Sequence, residues 1–489
     1  MAAGVGRTYH GRVEWLSGTE FEFARQVLQR GVAALYVVAF ASTLNQFRVL
    51  CGDHGLLPVP ELLARGGARG PTIFRRWGYS DRKLALLCVG GIVVASTLVV
   101  GLPQQGPPWL PLAAFLLLWG AYMSIVNVGQ TFYGFGWEML LLEAGFTVGL
   151  LGSQQVPPPA PLLVLTAWLV FRLEFGAGMI KWRGDPAWRN LTALYYHHET
   201  QPMPGPLSRR AHLMPKWWHR AEVAGNHVTQ MVVPFLLFLP QPTASVAAAV
   251  IVFTQLWLVA TGNFAWLNWI TIVLAFCGVG DDVVHRLVPG IHADLGSPAA
   301  APLWWNVLVL AASLLIVVAS VPAVGNLFSS RQLMNASFNR WQLGNAYGAF
   351  GTVTRERVEI VVEGTLDDAS SPDAQWREYE FKGKPGELGY RPRQFAPYHL
   401  RLDWLMWFLP LGSVHQRWFY AFLGKLLAAD SPTLRLLRRD PFGGAPPRFV
   451  RVWSYRYRFA TREQHRETGA YWVRDRARLV IPAAAARGA

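Results

Sequence analysis

The chain has 489 residues, of which 52% are hydrophobic and only 15% are charged, and its mean hydropathy is positive at +0.22. Because an average soluble domain carries about 25% charged residues, this composition excludes an ordinary soluble protein and indicates a polytopic membrane protein. The formal net charge of +15 lies mainly in loops and in the C-terminal third, without a nucleic-acid module signature. We therefore predict membrane lipids, and no nucleic acid, as partners of the basic residues.

The cysteines and the first apolar run exclude two further classes of protein. Cys51, Cys88 and Cys277 are too far apart to form a redox pair, a zinc ligand set or a dense disulfide framework. The first apolar run, at about 31–47, lacks the cleavage pattern of a signal peptide. We predict that it is retained as a signal anchor, and that no thiol chemistry occurs.

Nine apolar windows are candidates to cross a hydrocarbon core about 30 Å thick. The fourth, sixth and eighth are short, so any of them could be tilted, re-entrant or buried among its neighbours. We predict an α-helical polytopic membrane domain of about nine transmembrane helices over 1–325, with a long polar loop at 182–224. The windows lie at about 29–47, 84–102, 109–127, 137–152, 160–180, 227–240, 244–262, 264–279 and 303–322.

Two groups of basic residues give opposite signals for membrane orientation. The loop 48–83 carries seven basic residues, including Arg69, whereas the turns at 103–108 and 153–159 carry none. The positive-inside rule therefore places that loop in the cytoplasm and, with nine spans, the C-terminal region as well. The same count makes the N-terminus external. The basic residues near the N-terminus predict the opposite, a cytoplasmic N-terminus; they are Arg7, Arg12, Arg25 and Arg30.

The pattern changes after about residue 325. Alternation of Val358, Ile360 and Val362 with more polar neighbours predicts a strand, and the segment 448–459 repeats the alternation with aromatic residues. The apolar segments 400–409 and 418–429 are suited to helices. We predict that 326–489 forms a mainly β soluble domain with helical insertions, lying close to the membrane.

Several charged residues lie within the predicted membrane segments. Each such charge costs roughly 3 kcal/mol or more at the bilayer centre unless it is paired or hydrated, so a polar centre is expected. On one helix Glu174 and Lys181 share a face about 10 Å apart, too far for direct contact, and Arg172 is directed toward Glu143. Buried amides also need partners. The predicted polar centre consists of Glu138, Glu143, Arg172, Glu174, Lys181, His227, Asn263 and Asn268.

Two interpretations of this polar centre stay open. In the first, the charged pairs fix the register of the helices. In the second, Lys181 is a general base beside a water-filled pocket, where desolvation and neighbouring positive charge favour its neutral form.

The loop after Lys181 combines histidine, glutamate and tryptophan. His197, His198 and Glu199 are adjacent, but they do not form HExxH and no third ligand follows at a diagnostic spacing, although His212 and His219 are available. We predict no metal and no cofactor, and a rigid re-entrant loop held by its own hydrogen bonds. The loop residues singled out are Arg183, Asp185, Trp188, His198, Glu199 and Gln201.

Long motifs along nearly the whole chain resemble the lipase maturation factor family. Within the segments just described these are GMIKWRGD at 178–185, HETQPMP at 198–204, GN at 262–263 and LNW at 267–269. Further motifs follow the family's order elsewhere: GLLP at 55–58, WE at 137–138, LLEAGF at 141–146, NAYG at 345–348, VEG at 362–364 and RLDWLMWF at 401–408.

The resemblance implies a multispanning protein that helps secreted lipases to fold and assemble. Animal members lie in the endoplasmic reticulum membrane, act as folding factors rather than known enzymes, and direct the long loop and the C-terminal domain into the lumen. We give this orientation more weight than the loop charges. We predict a membrane-embedded folding or maturation factor with an exported client such as a lipase, in the endoplasmic reticulum membrane of a eukaryote or the cytoplasmic membrane of a bacterium.

A shorter resemblance carries the enzymatic alternative. The segment AGMIK at 177–181, followed by Asp185 and Trp188, is similar to the vitamin K-dependent gamma-carboxylases, with one extra residue between the lysine and the aspartate. In that family the matching lysine is the base of quinone epoxidation and glutamate carboxylation. The alternative is therefore an integral membrane enzyme that acts on a lipid-soluble small molecule or an exported substrate, with Lys181 as its base.

Overall fold

The computed structural model describes residues 16–68, 70–289 and 299–485. The basic residues Arg7, Arg12 and Arg69, which entered the argument on orientation, lie outside the described residues. The described part of the chain is mainly helical up to residue 328 and forms a small sheet with helices beyond it.

The helices of the first region vary from single turns to rods that match a bilayer. Short 3₁₀ turns at Pro103–Gln105, Gln130–Tyr133 and Phe276–Gly278 separate some of them. In chain order they are α1 (Glu22–Cys51), α2 (Val59–Ala64), α3 (Phe74–Trp77), α4 (Asp81–Val100), α5 (Trp109–Val126), α6 (Gly136–Gly149), α7 (Ala160–Arg183), α8 (Pro186–Arg189), α9 (Leu194–Thr200), α10 (Ser208–His212), α11 (Lys216–Met231), α12 (Val233–Leu236), α13 (Thr243–Thr261), α14 (Leu267–Ala275), α15 (Asp281–Leu287) and α16 (Leu303–Phe328).

Local sequence signals explain where α4 starts and stops. The hydroxyl of Ser80 accepts a hydrogen bond from the amide of Lys83 and caps the first turn. Gly101 follows the last turn with φ at +87°, a left-handed conformation that favours glycine. The apolar run between these two residues is therefore one uninterrupted helix.

The prediction of about nine spans is wrong. Among the described residues, fewer helices are both long enough and apolar enough to cross a membrane. Six of them are long and apolar enough to cross a membrane, namely α1, α4, α5, α7, α13 and α16. A seventh results only if the segment Leu267–Gly278 and α15, which are bent by 103°, form one span.

The three windows that fail this test are short segments inside the bundle. The window 137–152 forms α6, whose 14 residues extend only about 21 Å and are nearly all buried. The window 227–240 is interrupted at Val232, between α11 and α12. The window 264–279 contains the nine-residue α14 and a 3₁₀ turn. Burial against other helices demands the same apolar side chains as contact with lipid, so hydropathy alone counted these segments as spans.

The C-terminal region contains a four-stranded antiparallel sheet in the order β2-β1-β3-β4. Val362 lies opposite Val452, with both side chains buried, which fixes the register of the two central strands. The predicted strands and both predicted helices are confirmed, although the sheet is small. The elements are β1 (Arg357–Thr365), β2 (Arg377–Glu378), α17 (Arg401–Phe408), α18 (Arg417–Leu427), α19 (Ser431–Leu434), β3 (Phe449–Phe459), α20 (Arg462–Thr468) and β4 (Trp472–Ala485).

The C-terminal region and the helical bundle share a continuous hydrophobic core. Near the end of α1 the side-chain amide of Gln46 donates to the carbonyl oxygen of His399 at 2.7 Å and accepts from the amide of Arg401 at 3.0 Å. The ring of Phe132, just before α6, packs edge-on against Trp418 in α18 with ring centroids 5.8 Å apart. The C-terminal region is therefore docked on the end of the bundle where α1 ends and α6 begins.

Gly344 occupies a tight position between the last long helix and the C-terminal region. Its φ is +65°, and a Cβ atom there would lie 2.2 Å from the carbonyl oxygen of Ala319 in α16. Any side chain at this position therefore combines backbone strain with a steric clash.

We expect Gly344→Ala to lower the apparent Tm of the detergent-solubilised protein, because the positive φ alone costs about 1–3 kcal/mol. Gly325→Ala is the matched control, since Gly325 lies within α16 and a Cβ there meets no atom within 4 Å. Tryptophan fluorescence during heating measures the apparent Tm of both variants. Equal Tm values for the two would contradict the close packing at Gly344.

Candidate functional site

A buried ion pair joins α6 to α7. Nη2 of Arg172 lies 2.5 Å from Oε1 of Glu143, and both side chains are 1% exposed. The predicted pairing of Arg172 with Glu143 is therefore present. The carboxylate also accepts hydrogen bonds from the amides of Gly344 and Asn345 and, at 2.8 Å, from the Tyr347 hydroxyl. The motif NAYG thus forms hydrogen bonds to a buried ion pair inside the bundle.

A second buried ion pair joins α6 to the C-terminal region. Nη1 of Arg401 in α17 lies 2.6 Å from Oε1 of Glu138, and both side chains are fully buried. The guanidinium lies 3.5 Å from the centroid of the Tyr133 ring, and Tyr122 donates a hydrogen bond to the same carboxylate. Arg401 begins the motif RLDWLMWF, so this motif supplies the countercharge for a glutamate of the bundle.

Lys181 and Glu174 are connected through an amide rather than by direct contact. Nζ of Lys181 donates to Oε1 of Gln230 at 2.9 Å, and Nε2 of Gln230 donates to Oε2 of Glu174 at 3.1 Å. Lys181 is 6% exposed. Its ammonium also lies 3.5 Å from Oδ1 of Asn226 and 5.0 Å from the centroid of the Trp188 ring. The ammonium is therefore held by neutral groups on two sides and an aromatic face on a third.

The network continues beyond Glu174 into two further helices. Nε2 of Gln255 in α13 donates to Oε1 of Glu174 at 2.6 Å. Nδ2 of Asn268 in α14 donates to Oε1 of Gln255 at 2.7 Å. Gln230 thus links the cation to the anion, and Gln255 and Asn268 extend the chain from the anion. We name this chain of hydrogen bonds across α7, α11, α13 and α14 the amide network.

The predicted polar centre is divided into separate networks. Glu138 and Glu143 belong to the two ion pairs, whereas Glu174, Lys181 and Asn268 belong to the amide network. His227 lies beside the amide network, with Nε2 at 3.1 Å from the carbonyl oxygen of Trp188. The structure gathers these residues at separate places and does not bring all of them to one point.

Asn263 lies outside these networks and links the long loop to the C-terminal region. Its Nδ2 donates to the carbonyl oxygens of Pro204 at 3.2 Å and Arg393 at 2.9 Å. Its Oδ1 accepts from the amides of Phe395 and Ala396. The side chain thus connects three segments of backbone.

The first part of the long loop is fixed by caps and by a tryptophan. Nη1 of Arg183 donates to the carbonyl oxygen of Leu327 at 2.8 Å, at the end of α16. Asp185 caps α8 and pairs with Arg355 at 2.8 Å. Burial acts to raise the pKa of the Asp185 carboxyl, but hydrogen bonds from the Ala187 amide and from Arg355 outweigh burial and hold that pKa below its usual range.

Trp188 completes this attachment, because Nε1 of its indole donates to the carbonyl oxygen of Phe350 at 2.8 Å. The segment 183–188 therefore contacts the chain that leads from α16 into the sheet.

The second part of the loop is fixed to the sheet. The guanidinium of Arg357 in β1 donates to the carbonyl oxygens of Glu199 at 2.9 Å and Pro202 at 3.0 Å. Oε2 of Glu199 accepts from the amide of Phe459 at 2.7 Å, while burial raises the pKa of this carboxyl. Nε2 of Gln201 donates to the carbonyl oxygen of Thr261 at 2.7 Å, at the end of α13. The loop and the sheet therefore lie at the same end of the bundle.

His198 faces two side chains of α11. One ligand atom from each of His198, His219 and Glu222 lies within 4.8 Å of the other two. Nε2 of His198 is 3.4 Å from Oε1 of Glu222. Both histidines are 2% exposed. The geometry of these three groups is suited to a metal ion, which the sequence argument did not favour.

Several participants in these networks escaped the sequence analysis. Arg401 stood in a recognised motif but was not assigned a charge partner, because α6 is far from it in the sequence. Gln230 and Gln255 are polar residues within apolar windows, which was a usable signal. Glu222 is three residues after His219 on one helix, a spacing that brings both side chains to one face.

The family comparisons cover most of the chain. A model described as "Lipase maturation factor transmembrane domain" matches residues 23–286, and one described as "Lipase maturation factor C-terminal domain" matches residues 343–482. The chain belongs to the lipase maturation factor family. No solved structure matches it.

Curated relatives of the lipase maturation factor family align along nearly the whole length. Lipase maturation factor 1 of Bos taurus is 39% identical, with 97% of this chain and 91% of the relative covered. Lipase maturation factor 1 of Homo sapiens is 38% identical, with 98% and 90% covered. Lipase maturation factor 2 of Homo sapiens is 30% identical, with 92% and 81% covered. The alignment therefore spans both the helical bundle and the sheet.

We expect Glu143→Gln to reduce the yield of monodisperse protein strongly. The substitution leaves Arg172 buried beside a neutral amide, which lowers the free energy of unfolding by about 3–5 kcal/mol. Adding Arg172→Met should restore part of the yield, since the uncompensated charge is then removed. Glu61→Gln is the control, because Glu61 pairs with Arg65 and Arg417 at the surface. Fluorescence-detected size-exclusion chromatography compares these proteins, and a Glu143→Gln yield equal to that of Glu61→Gln would refute the argument.

Proposed function

We propose that this protein is a membrane-embedded maturation factor that assists the folding of exported proteins of the lipase type. The carrying observation is the alignment with lipase maturation factor 1 over 97% of this chain at 39% identity. An alignment of that extent includes the membrane domain, the long loop and the C-terminal region together, and therefore supports conservation of the whole assembly.

The geometry supports a role in which surface matters more than a reactive group. The buried ion pairs and the loop contacts bind the bundle, the loop and the sheet into one framework. The C-terminal region also presents exposed apolar side chains, including Phe408, Leu411 and Tyr420 at 42%, 48% and 46% exposure. Exposed apolar groups are what a factor needs in order to hold an incompletely folded client.

The membrane location follows from the helices, and the compartment is part of the proposal. The protein is an integral, multi-pass membrane protein. We place the soluble region after about residue 325 and, because the loop and the sheet share one end of the bundle, we place both on the side where exported proteins fold. That side is the lumen of the endoplasmic reticulum in a eukaryote, or the outer side of the cytoplasmic membrane in a bacterium.

Co-expression tests the maturation function. A secreted lipase is expressed in cells with and without this protein. We expect the specific activity of the secreted lipase to be several-fold higher with the protein, because more of the lipase then reaches its native state. Lipase should also co-purify with the factor in mild detergent. Unchanged specific activity of the lipase, at confirmed expression of the factor, would overturn the proposal.

The enzymatic alternative is not favoured. A general base must be within hydrogen-bonding reach of the proton that it removes. The ammonium of Lys181 is instead directed at Gln230 and Asn226 and is buried beneath Trp188. Such a lysine joins helices, and its role in the proposed function is structural.

We expect Lys181→Met to retain lipase maturation, measured per amount of monodisperse protein, because its methylene groups can still pack while proton transfer is lost. Lys216→Met is the matched control, since Lys216 is exposed at the start of α11. Extracted lipids and quinones should be chemically identical in both variants. Loss of maturation in folded Lys181→Met alone, or a lipid-soluble product made only by the wild type, would support the enzyme instead.

A further inference from the structure

The side chains of His198, His219 and Glu222 converge from two helices onto one point. His198 comes from α9 in the long loop, while His219 and Glu222 are three residues apart on one face of α11. The three ligand atoms lie within 4.8 Å of one another. We infer that they form a zinc site that connects α9 to α11.

The distances need only a small contraction to hold the ion. Bonds of about 2.0–2.2 Å to zinc place neighbouring tetrahedral ligand atoms about 3.3–3.6 Å apart. Nε2 of His198 and Oε1 of Glu222 are already 3.4 Å apart. The remaining ligand atom lies within 4.8 Å of both, so it must approach them by at most about 1.5 Å.

Buried polar atoms of these side chains are short of hydrogen-bond partners. Nδ1 of His219 and Oε2 of Glu222 have no hydrogen-bond partner, and Nε2 of His198 makes no hydrogen bond beyond its 3.4 Å contact with Oε1 of Glu222. Both histidines are almost completely buried. A buried polar atom without a partner is unfavourable, so three side chains that carry such atoms and converge on one place fit a ligand that all of them bind.

The surrounding contacts orient two of the ligands. Nε2 of His219 lies 3.2 Å from the carbonyl oxygen of His212, so this nitrogen donates its hydrogen and leaves Nδ1 as the free ligand atom. Nε1 of Trp257 in α13 donates to Oε1 of Glu222 at 2.6 Å and holds the carboxylate. Metal-binding histidines and carboxylates commonly have such a second partner.

The donor set favours zinc. Two imidazoles and one carboxylate are a ligand combination found at zinc sites that keep a fourth position for water. Imidazole also binds copper, iron and nickel, but the three cysteines of the chain lie elsewhere, so no thiolate favours a softer ion. Zinc here would fix the position of the HETQPMP segment relative to α11.

Elemental analysis of the intact protein tests the site. The protein is expressed in zinc-supplemented medium, purified in detergent without chelators, and analysed by inductively coupled plasma mass spectrometry. We expect about one zinc per chain, and at least tenfold less in His198→Gln, His219→Gln and Glu222→Gln. His415→Gln and Glu61→Gln carry the same substitutions at exposed residues and should keep the zinc of the wild type.

A second measurement uses only the wild type, in case the ligand variants fail to fold. Protein stripped with a chelator should gain apparent Tm when zinc is added, and cobalt should give the visible absorption of a tetrahedral site. Zinc below about 0.1 per chain with no response to added zinc or cobalt would overturn the inference. Equal zinc in the ligand variants and in the controls, or iron in place of zinc, would also overturn it. Metal content is measured without a lipase, so its outcome is independent of the maturation assay.

Discussion

The structure depends on the requirement that every charge buried among its helices has a partner. Glu143 and Glu138 lie in the same short helix, yet their cations come from different places. Arg172 comes from the neighbouring helix, and Arg401 comes from the C-terminal region. Leaving either carboxylate unpaired in the interior is strongly destabilising, so the bundle reaches its low-energy state only with the C-terminal region docked. The two regions are therefore coupled by electrostatics as well as by their shared core.

This coupling explains how the C-terminal region is held at a fixed position on the helical bundle. Apolar contacts are non-directional and tolerate sliding, whereas an ion pair with hydrogen bonds at defined angles permits one arrangement. Arg401 contacts the carboxylate, the carbonyl oxygen of Phe132 and the face of Tyr133 at once. A rotated or shifted sheet would lose all three contacts together. A factor that presents a surface to a client benefits from such a fixed geometry.

The sequence predicted the local elements well, and physical reasons separate these successes from the failures. The strands around Val362 and Val452 follow from alternation, and the helices α17 and α18 follow from the apolar content of their segments; both are local properties. The predicted number of spans was wrong because α6 is buried against other helices on nearly all sides, and hydropathy does not distinguish a protein neighbour from a lipid. Periodicity also carries no information on which helices become neighbours.

The same distinction holds for the candidate site. The charges at membrane depth indicated that partners must exist, and the pairing of Arg172 with Glu143 followed from adjacent helices. Arg401 could not be assigned to Glu138 by local reasoning, because the two lie in different regions. His198 likewise gained its neighbours from α11 through the folding of the loop, and a search for ligands at fixed spacings does not find an arrangement made by tertiary contacts.

The amide network differs from the two ion pairs in a way that bears on its role. Glu174 and Lys181 lie two turns apart on α7, and Gln230 spans the gap by accepting from the ammonium and donating to the carboxylate. An amide can satisfy both charges only if α11 is at one height along α7, since a shift of one turn, about 5.4 Å, separates the groups. Gln255 and Asn268 impose the same condition on α13 and α14. The network therefore sets the register of four helices and, through α11, the height of His219 and Glu222 opposite His198 in α9.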